Sequence, residues 1–330
     1  MDVERLVVFA SVGFAIAVAA FVLWGPSPRP RKKGKIIGIN NLGYTCFLNS
    51  LLQALAACPT FTGWLQKQRE KNSNVSFTST LLSVFQNMYG NVTPVEIISS
   101  LGSLWSFTRG HQDVHELFHV VLSAIQAEIQ PMNKSAVRYD KLETISLPLP
   151  PIGQHIKSYH TLEELLTRFV TSEIVHDVLC DGCMVRCSAT KTLTLGKLPK
   201  CLCLHISRTT WSSSGIPIKR DDPVKFPQIL TLDPYTFTET RKRSAQGDPE
   251  ATMLLPNQSL LHGKHKYQLR AVVEHRGPVD SGHFVCYRRG NRLDKWLYTS
   301  DTVVENISLI DVLCVTPYLL FYERLSSICG

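Results

Sequence analysis

GINNLGYTCFLNSLLQALAA, residues Gly38 to Ala57, sets one cysteine at the mouth of a helix. Phe47, Leu48, Leu51, Leu52 and Leu55 recur at helical spacing after Cys46, while Gly38 and Gly43 interrupt any regular element ahead of it. At a helix entrance the free backbone N–H groups and the positive end of the dipole favour a thiolate, so Cys46 can be a nucleophile near neutral pH. The competing reading is a small buried hydrophobe that opens a core helix, the commoner fate of a lone cysteine. Choosing between them takes the rest of the chain.

The chain has 330 residues, 44% hydrophobic and 19% charged, enough to bury one large core or two smaller ones, which excludes a disordered polymer. Part of the formal net charge of +8 sits in Arg29, Arg31, Lys32, Lys33 and Lys35, directly after an apolar run. No aromatic residue interleaves with that cluster, so it reads as a membrane flank and no nucleic-acid partner is expected. The ten cysteines lack the short, even spacings of a disulfide framework, which points to a reducing compartment.

Residues 1–5 form a short tail. From Leu6 to Trp24 there is no charge, a length that spans roughly the 30 Å hydrocarbon core as one short transmembrane helix. A cleaved signal peptide is the alternative, and Ala17 and Ala19 supply an A-x-A pattern. Against it, Asp2 and Glu4 stand where a basic n-region belongs and the positive charges follow the apolar run. An uncleaved anchor then leaves everything after Arg29 in the cytosol. GPSPRPRKKGK, residues 25–35, is a proline- and lysine-rich linker, and a folded domain is expected over 36–326.

The first half of that domain reads as helical. Leu81, Leu82 and Phe85 cluster, and in HQDVHELFHVVLSAIQAEI the residues Leu117, Phe118, Val121, Leu122, Ile125 and Ile129 share one face before Pro131. In the second half, Thr161 and Glu164 have capping-box spacing and open a short helix through Phe169. Strand patterns follow at Thr192–Leu195, Cys201–Ser207, Leu269–Val273, His283–Arg288, Trp296–Thr299 and Tyr318–Tyr322, with a polar insertion at Glu239–Gly263. Helices first and antiparallel strands after make an α+β arrangement with a cleft between the halves.

A thiolate nucleophile needs a base, and histidine is the usual one. Of 11 histidines, His205 lies in an apolar strand and His111, His115 and His119 are spread around a helix, where a structural role is the commoner one. His283 differs: it follows Ser281-Gly282 and begins the alternating strand HFVCYRR, which presents an imidazole at a strand end.

At this point GINNLGYTCFLNSLLQAL resembles the cysteine box of the ubiquitin-specific proteases, and HRGPVDSGHFVCYRR with KWLYTSDTVV resembles their histidine box. HQDVHEL, LGKLPKCLCLHISR and VKFPQILTL continue the match in the family's order, so it covers nearly everything from Ile36 to Arg324. The resemblance implies a papain-like cysteine protease with a helical thumb (about 40–131) and an antiparallel β palm with a shortened fingers sheet (about 139–326). The activity implied is a deubiquitinating thiol hydrolase that cleaves after the C-terminal glycine of ubiquitin. Its partners would be ubiquitin, ubiquitinated membrane-surface proteins and the lipid bilayer through residues 6–24. The alternative is a catalytically weak ubiquitin-binding module of the same fold, against which the complete set of Cys46, His283 and Asn41 argues.

Residue by residue, the resemblance implies Cys46 as nucleophile, His283 as general base and then acid, and Asn41 as oxyanion-hole donor. The third catalytic position, usually Asp or Asn, falls on Ser300. A hydroxyl can fix the imidazole tautomer but brings no negative charge, which the neighbouring Asp301 could supply. Asp113 matches the aspartate that holds ubiquitin's basic tail, although an aspartate at that position also suits a helix cap. Many family members bind zinc through two Cys-x-x-Cys pairs. This chain has only Cys180 and Cys183, with His176 and Cys187 as local candidates to complete a site, so no metal and no cofactor is expected. The anchor, LGKLPKCLCLHISR with the following TWSS, and the ending YLLFYERL look most like the family's mitochondrial member. They imply the mitochondrial outer membrane, with the endoplasmic reticulum as alternative.

Overall fold

The computed structural model describes residues 36–71, 76–88, 94–102, 104–105, 112–129, 144–151, 159–180, 182–212, 214–245, 263–279, 281–291 and 295–325. The chain divides into two units, 1–35 and 36–330, and only the second holds described residues. The expected anchor at 6–24 and its linker lie outside them. Among the described residues no helix is long and apolar enough to cross a membrane.

Among the described residues the first half contains the helices α1 (Cys46–Ala56), α2 (Pro59–Lys71), α3 (Ser76–Asn87), α4 (Val95–Leu101) and α5 (Val114–Ile129). In α1 the residues at the expected apolar spacing, Phe47, Leu48, Leu51, Leu52 and Leu55, are all buried. Helix α3 has its first N–H groups satisfied from outside, since the Glu128 carboxylate near the end of α5 accepts from Phe77 N (2.6 Å) and Thr78 N (2.9 Å). That contact locks the two helices through residues 50 apart in the sequence.

The second half runs β1 (Ile145–Pro148), β2 (His160–Thr161), α6 (Leu162–Val170), β3 (Glu173–Leu179), β4 (Arg186–Lys191), β5 (Cys201–Ser207), β6 (Thr209–Trp211), β7 (Pro217–Lys219), β8 (Val224–Lys225), β9 (Ile229–Thr231), α7 (Phe237–Ala245), β10 (Lys266–Arg276), β11 (His283–Arg289), β12 (Trp296–Ser300), β13 (Val303–Ile307), α8 (Leu309–Leu313) and β14 (Leu319–Arg324). Thr161 and Glu164 form the expected capping box at α6. The main sheet has the order β1-β5-β14-β10-β11-β12-β13, with β9 also paired to β10. Every pair in it is antiparallel except β1 with β5.

This sheet is covered on both faces, and strand alternation sorts its residues into two cores. Val273, Phe284, Cys286, Leu319 and Phe321 pack with α1 and α5, whereas Val272, Val285, Tyr287, Leu320 and Tyr322 pack with Leu162, Leu165 and Leu166 of α6. A register shift between Leu269 and Ala271 bends β10 where the pairing with β14 continues. Helix α1 lies across β11, so the helical half rests on the strand that carries His283.

One expectation needs correction. Thr192–Leu195 is no strand: only Leu195 pairs, in an isolated bridge to Thr236. The neighbouring residues instead form the β3–β4 hairpin, whose side chains are mostly exposed on both faces and therefore carry no apolar alternation to read. The expected polar insertion Glu239–Gly263 starts inside α7, and its residues 246–262 lie outside the described set.

Candidate active site

Cys46 is the first residue of α1. The loop before it is folded around Asn41, whose Oδ1 accepts from Gly43 N (2.8 Å), Thr45 N (3.2 Å) and Thr45 Oγ1 (3.3 Å). Thr45 Oγ1 in turn accepts from Leu42 N at 3.0 Å. The loop is thus a closed set of local hydrogen bonds with one side chain at its hub.

That hub is fastened to the far end of the chain. Asn41 Nδ2 donates to Asp301 Oδ2 at 2.9 Å, Asn49 Nδ2 of α1 donates to Asp301 Oδ1 at 2.8 Å, and Ile39 N donates to the Asp301 carbonyl at 2.9 Å. Asp301 has φ +48 and sits in the two-residue turn between β12 and β13, where Ser300 pairs with Val303. Left-handed backbone at a non-glycine residue is uncommon and concentrates at functional positions. Gly38 makes the docking possible, since a Cβ there would fall 2.3 Å from the Asp301 carbonyl oxygen and 2.4 Å from Thr302 backbone atoms.

His283 opens β11 and pairs with Arg276 of β10. Its Nε2 lies 2.9 Å from Ser300 Oγ and 4.0 Å from Asp301 Oδ2. Gly282 ahead of it leaves room for His275, because a Cβ there would meet His275 Nε2 at 2.0 Å. Cys46 and His283 line one cavity of about 430 Å³, together with Asn41, Tyr44, Gln112 and Phe284. The backbone N–H of Phe284, next to His283, is directed at the Cys46 sulfur.

The resting charge of the thiol differs from the expectation. Burial, with the Asp301 carboxylate adding to it, pushes the Cys46 thiol above its ordinary value, while the N–H groups of Phe284, Phe47 and Cys46 pull it down. Helix-entrance donors are present as the sequence implies, but desolvation outweighs them. The thiol is therefore harder to ionise than its place at a helix entrance implies.

Asp113 stands at the start of α5. Its Oδ1 accepts from His115 N (2.6 Å) and Glu116 N (3.3 Å), which is a helix cap, and its Oδ2 accepts from the Tyr318 hydroxyl. Burial and the Asp113 carboxylate push the Tyr318 phenol far up, so it stays a donor. Asp113 also borders a second, small cavity with Arg208, Lys219, His275, Phe284 and Tyr318. His275 and Phe284 line both cavities, which joins the Asp113 corner to the one holding Cys46.

Several residues here escaped the sequence reading. Asn49 was legible only as a polar residue in an apolar helix. Arg208 is 1% exposed and donates from Nε to Pro317 O (2.8 Å) and from Nη1 to Arg220 O (2.9 Å) and Asp222 O (3.0 Å), tying the end of β5 to two loops. Its burial lowers the guanidinium to about 10. A cation closing the apolar run CLCLHIS was the available signal.

Cys180 and Cys183 stand at the tip of the β3–β4 hairpin. The N–H groups of Cys183 and Gly182 and the Cys183 thiol lower Cys180 below the ordinary thiol range. His176 Nδ1 is 2.9 Å from Ser188 Oγ. Among the described residues no group of three or more His, Cys, Asp and Glu side chains is arranged to hold a metal ion.

Comparison with known proteins gives one consistent result. A family profile described as ubiquitin carboxyl-terminal hydrolase matches residues 37–322. The chain is 29% identical to human ubiquitin carboxyl-terminal hydrolase 30, over 97% of this chain and 90% of that protein. It is 26% identical to the Danio rerio protein of the same name, over 96% and 92% of the two chains. Among solved structures, the SAGA Ubp8/Sgf11/Sus1/Sgf73 DUB module bound to ubiquitin aldehyde superposes with a TM-score of 0.71 at 21% identity, covering 99% of this chain and 76% of that one.

Proposed function

This chain belongs to the ubiquitin carboxyl-terminal hydrolase family as a cysteine-type deubiquitinase, and from that premise we propose that Cys46, His283, Ser300 and Asn41 carry the reaction at the cytosolic face of the mitochondrial outer membrane. The supporting observation is the shared cavity: the Cys46 sulfur faces the Phe284 N–H, and the adjacent His283 is held through Nε2 by Ser300. Ser300 Oγ accepts a hydrogen bond from the Nε2–H and so fixes the tautomer, which leaves Nδ1 to take the proton from the thiol. The thiolate adds to the carbonyl of ubiquitin's terminal glycine. The imidazolium then returns the proton to the departing amine, leaving a thioester that a water deprotonated by His283 hydrolyses.

Asn41 and Asp301 divide the remaining work. One amide hydrogen of Asn41 is committed to Asp301, and the other donates to the tetrahedral oxyanion. Asp301 is a positioning residue, with both carboxylate oxygens engaged by Asn41 and Asn49 and its charge 4.0 Å from His283. Asp113 receives the basic tail of ubiquitin while capping α5. A ubiquitin probe with a C-terminal vinyl electrophile tests the assignment: it forms one adduct, on Cys46, and binding without an adduct would overturn it.

The membrane reading rests on the uncharged run 6–24 and the basic flank after it. Residues 1–35 fused to a fluorescent protein then mark mitochondria and resist carbonate extraction. A reticular pattern would place the protein in the endoplasmic reticulum instead.

A further inference from the structure

Three side-chain atoms outside the cleft converge in a way that hydrogen bonding alone accounts for poorly. His115 Nε2 lies 2.9 Å from Thr144 Oγ1, His119 Nε2 lies 3.2 Å from the same oxygen, and the two Nε2 atoms are 3.1 Å apart. A neutral imidazole carries one proton, and two rings meeting nitrogen to nitrogen must oppose a lone pair to an N–H. The hydroxyl adds one proton more, so at most two protons serve three close pairs.

The triangle has the size of one face of a coordination shell. Bonds of about 2.0–2.1 Å from a metal to nitrogen put neighbouring ligand atoms about 2.9 Å apart in an octahedron and about 3.3–3.4 Å apart in a tetrahedron. The three observed edges fall within that interval. The sequence supports the placement, since His115-Glu116-Leu117-Phe118-His119 sets two histidines one turn apart on α5. The rings are held as ligands need to be: His115 stacks on His205 with centroids 3.9 Å apart and meets His119 edge-on at 4.6 Å.

We propose that His115 Nε2, His119 Nε2 and Thr144 Oγ1 form a binding site for a borderline divalent transition-metal ion such as zinc or cobalt, with water completing its shell. Two imidazoles and a hydroxyl select such ions over magnesium and calcium, which take oxygen ligands. Thr144 stands one residue ahead of β1, the edge strand of the main sheet, so a bound ion fastens α5 to that edge. Its effect is on the junction of helices and sheet. It does not act on the reacting groups, and the site is independent of the assignment of Cys46.

The full chain carrying Cys180→Ser and Cys183→Ser, so that the hairpin thiols cannot compete, is titrated with zinc by calorimetry and with cobalt by visible absorption. One equivalent binds, the cobalt spectrum shows d–d bands without thiolate charge transfer, and zinc raises Tm. His119→Ala weakens zinc binding by more than about 100-fold and abolishes the Tm rise, and Thr144→Val weakens binding by about 10-fold. Thr144→Val keeps both imidazoles and the side-chain shape, and gives the deciding measurement should His119→Ala fail to fold. A parent that binds no zinc at micromolar concentration, or variants that bind it as tightly as the parent, would overturn the proposal.

Discussion

The Gly38–Thr45 loop and the β3–β4 hairpin are both short excursions from the body of the domain, and they are held in opposite ways. The loop is fixed by partners about 260 residues away, through the two amides on Asp301 and the Ile39 N–H on its carbonyl. The hairpin holds itself: among the described residues its strands pair with each other alone, and its ion pairs, Arg186 with Asp177 and Lys191 with Glu173, join one strand to the other in solvent. Ile174, Met184 and Val185 are exposed on it. Long-range docking gives a loop one geometry, which a nucleophile requires, whereas local pairing leaves a hairpin free to adapt to what it touches.

The sharpest way to break this contrast is at the chemistry itself. Cys46→Ala and His283→Ala each remove hydrolysis of a ubiquitin C-terminal fluorogenic substrate, and near-wild-type turnover from either would mean that the rigid loop serves something else. Next in size is the pair behind His283. Asp301→Ala releases both Asn41 and Asn49 and lowers kcat by about 100-fold, the scale of a lost oxyanion donor. Ser300→Ala, which frees only the imidazole tautomer, costs about 10-fold by the same measurement, and the reverse order would make Ser300 the main support of His283.

Gly38→Ala tests the docking without touching a catalytic group. A Cβ pressed against Asp301 and Thr302 displaces the turn and costs about 1–3 kcal/mol, measured by denaturant unfolding, together with a fall in kcat. Alkylation of Cys46 in the free protein, followed by peptide-resolved mass spectrometry, reads its raised thiol value. Because the raised value keeps the thiol protonated, the rate climbs with pH and continues beyond about pH 8.5, where an ordinary thiol begins to level off. A plateau near neutrality would show a preformed thiolate. The smallest effect belongs to the hairpin: Arg186→Ala removes an ion pair whose side chains are 63% and 71% exposed, and shifts Tm by less than about 2 °C.

What the sequence made legible follows the same division. Strands β5, β10, β11 and β14 were readable because both faces of the sheet are buried, so their residues are apolar in continuous runs. Helix α1 and the α6 capping box were readable because their signals are local. The hairpin was missed because exposed strands need no apolar alternation. Asp301 could be named only as a neighbour of Ser300, since its left-handed backbone and its two amide partners depend on contacts across the whole chain. The thiol was misjudged for a related reason. Spacing reveals a helix entrance, but how deeply that entrance is buried depends on how the rest of the chain packs over it.

The anchoring of Gly38 also has a mechanical side. Ile37 N donates to Met88 O, Gln53 Nε2 donates to Ile37 O, and Ile39 N donates to Asp301 O. A pull on the chain ahead of Ile36 would therefore be borne first by these few bonds, and the next residues to yield would be Asn40 and Asn41. Tension along the backbone would thus reach the loop that carries Asn41 through only a few bonds, which would make turnover under load a gauge of force on the amino-terminal segment.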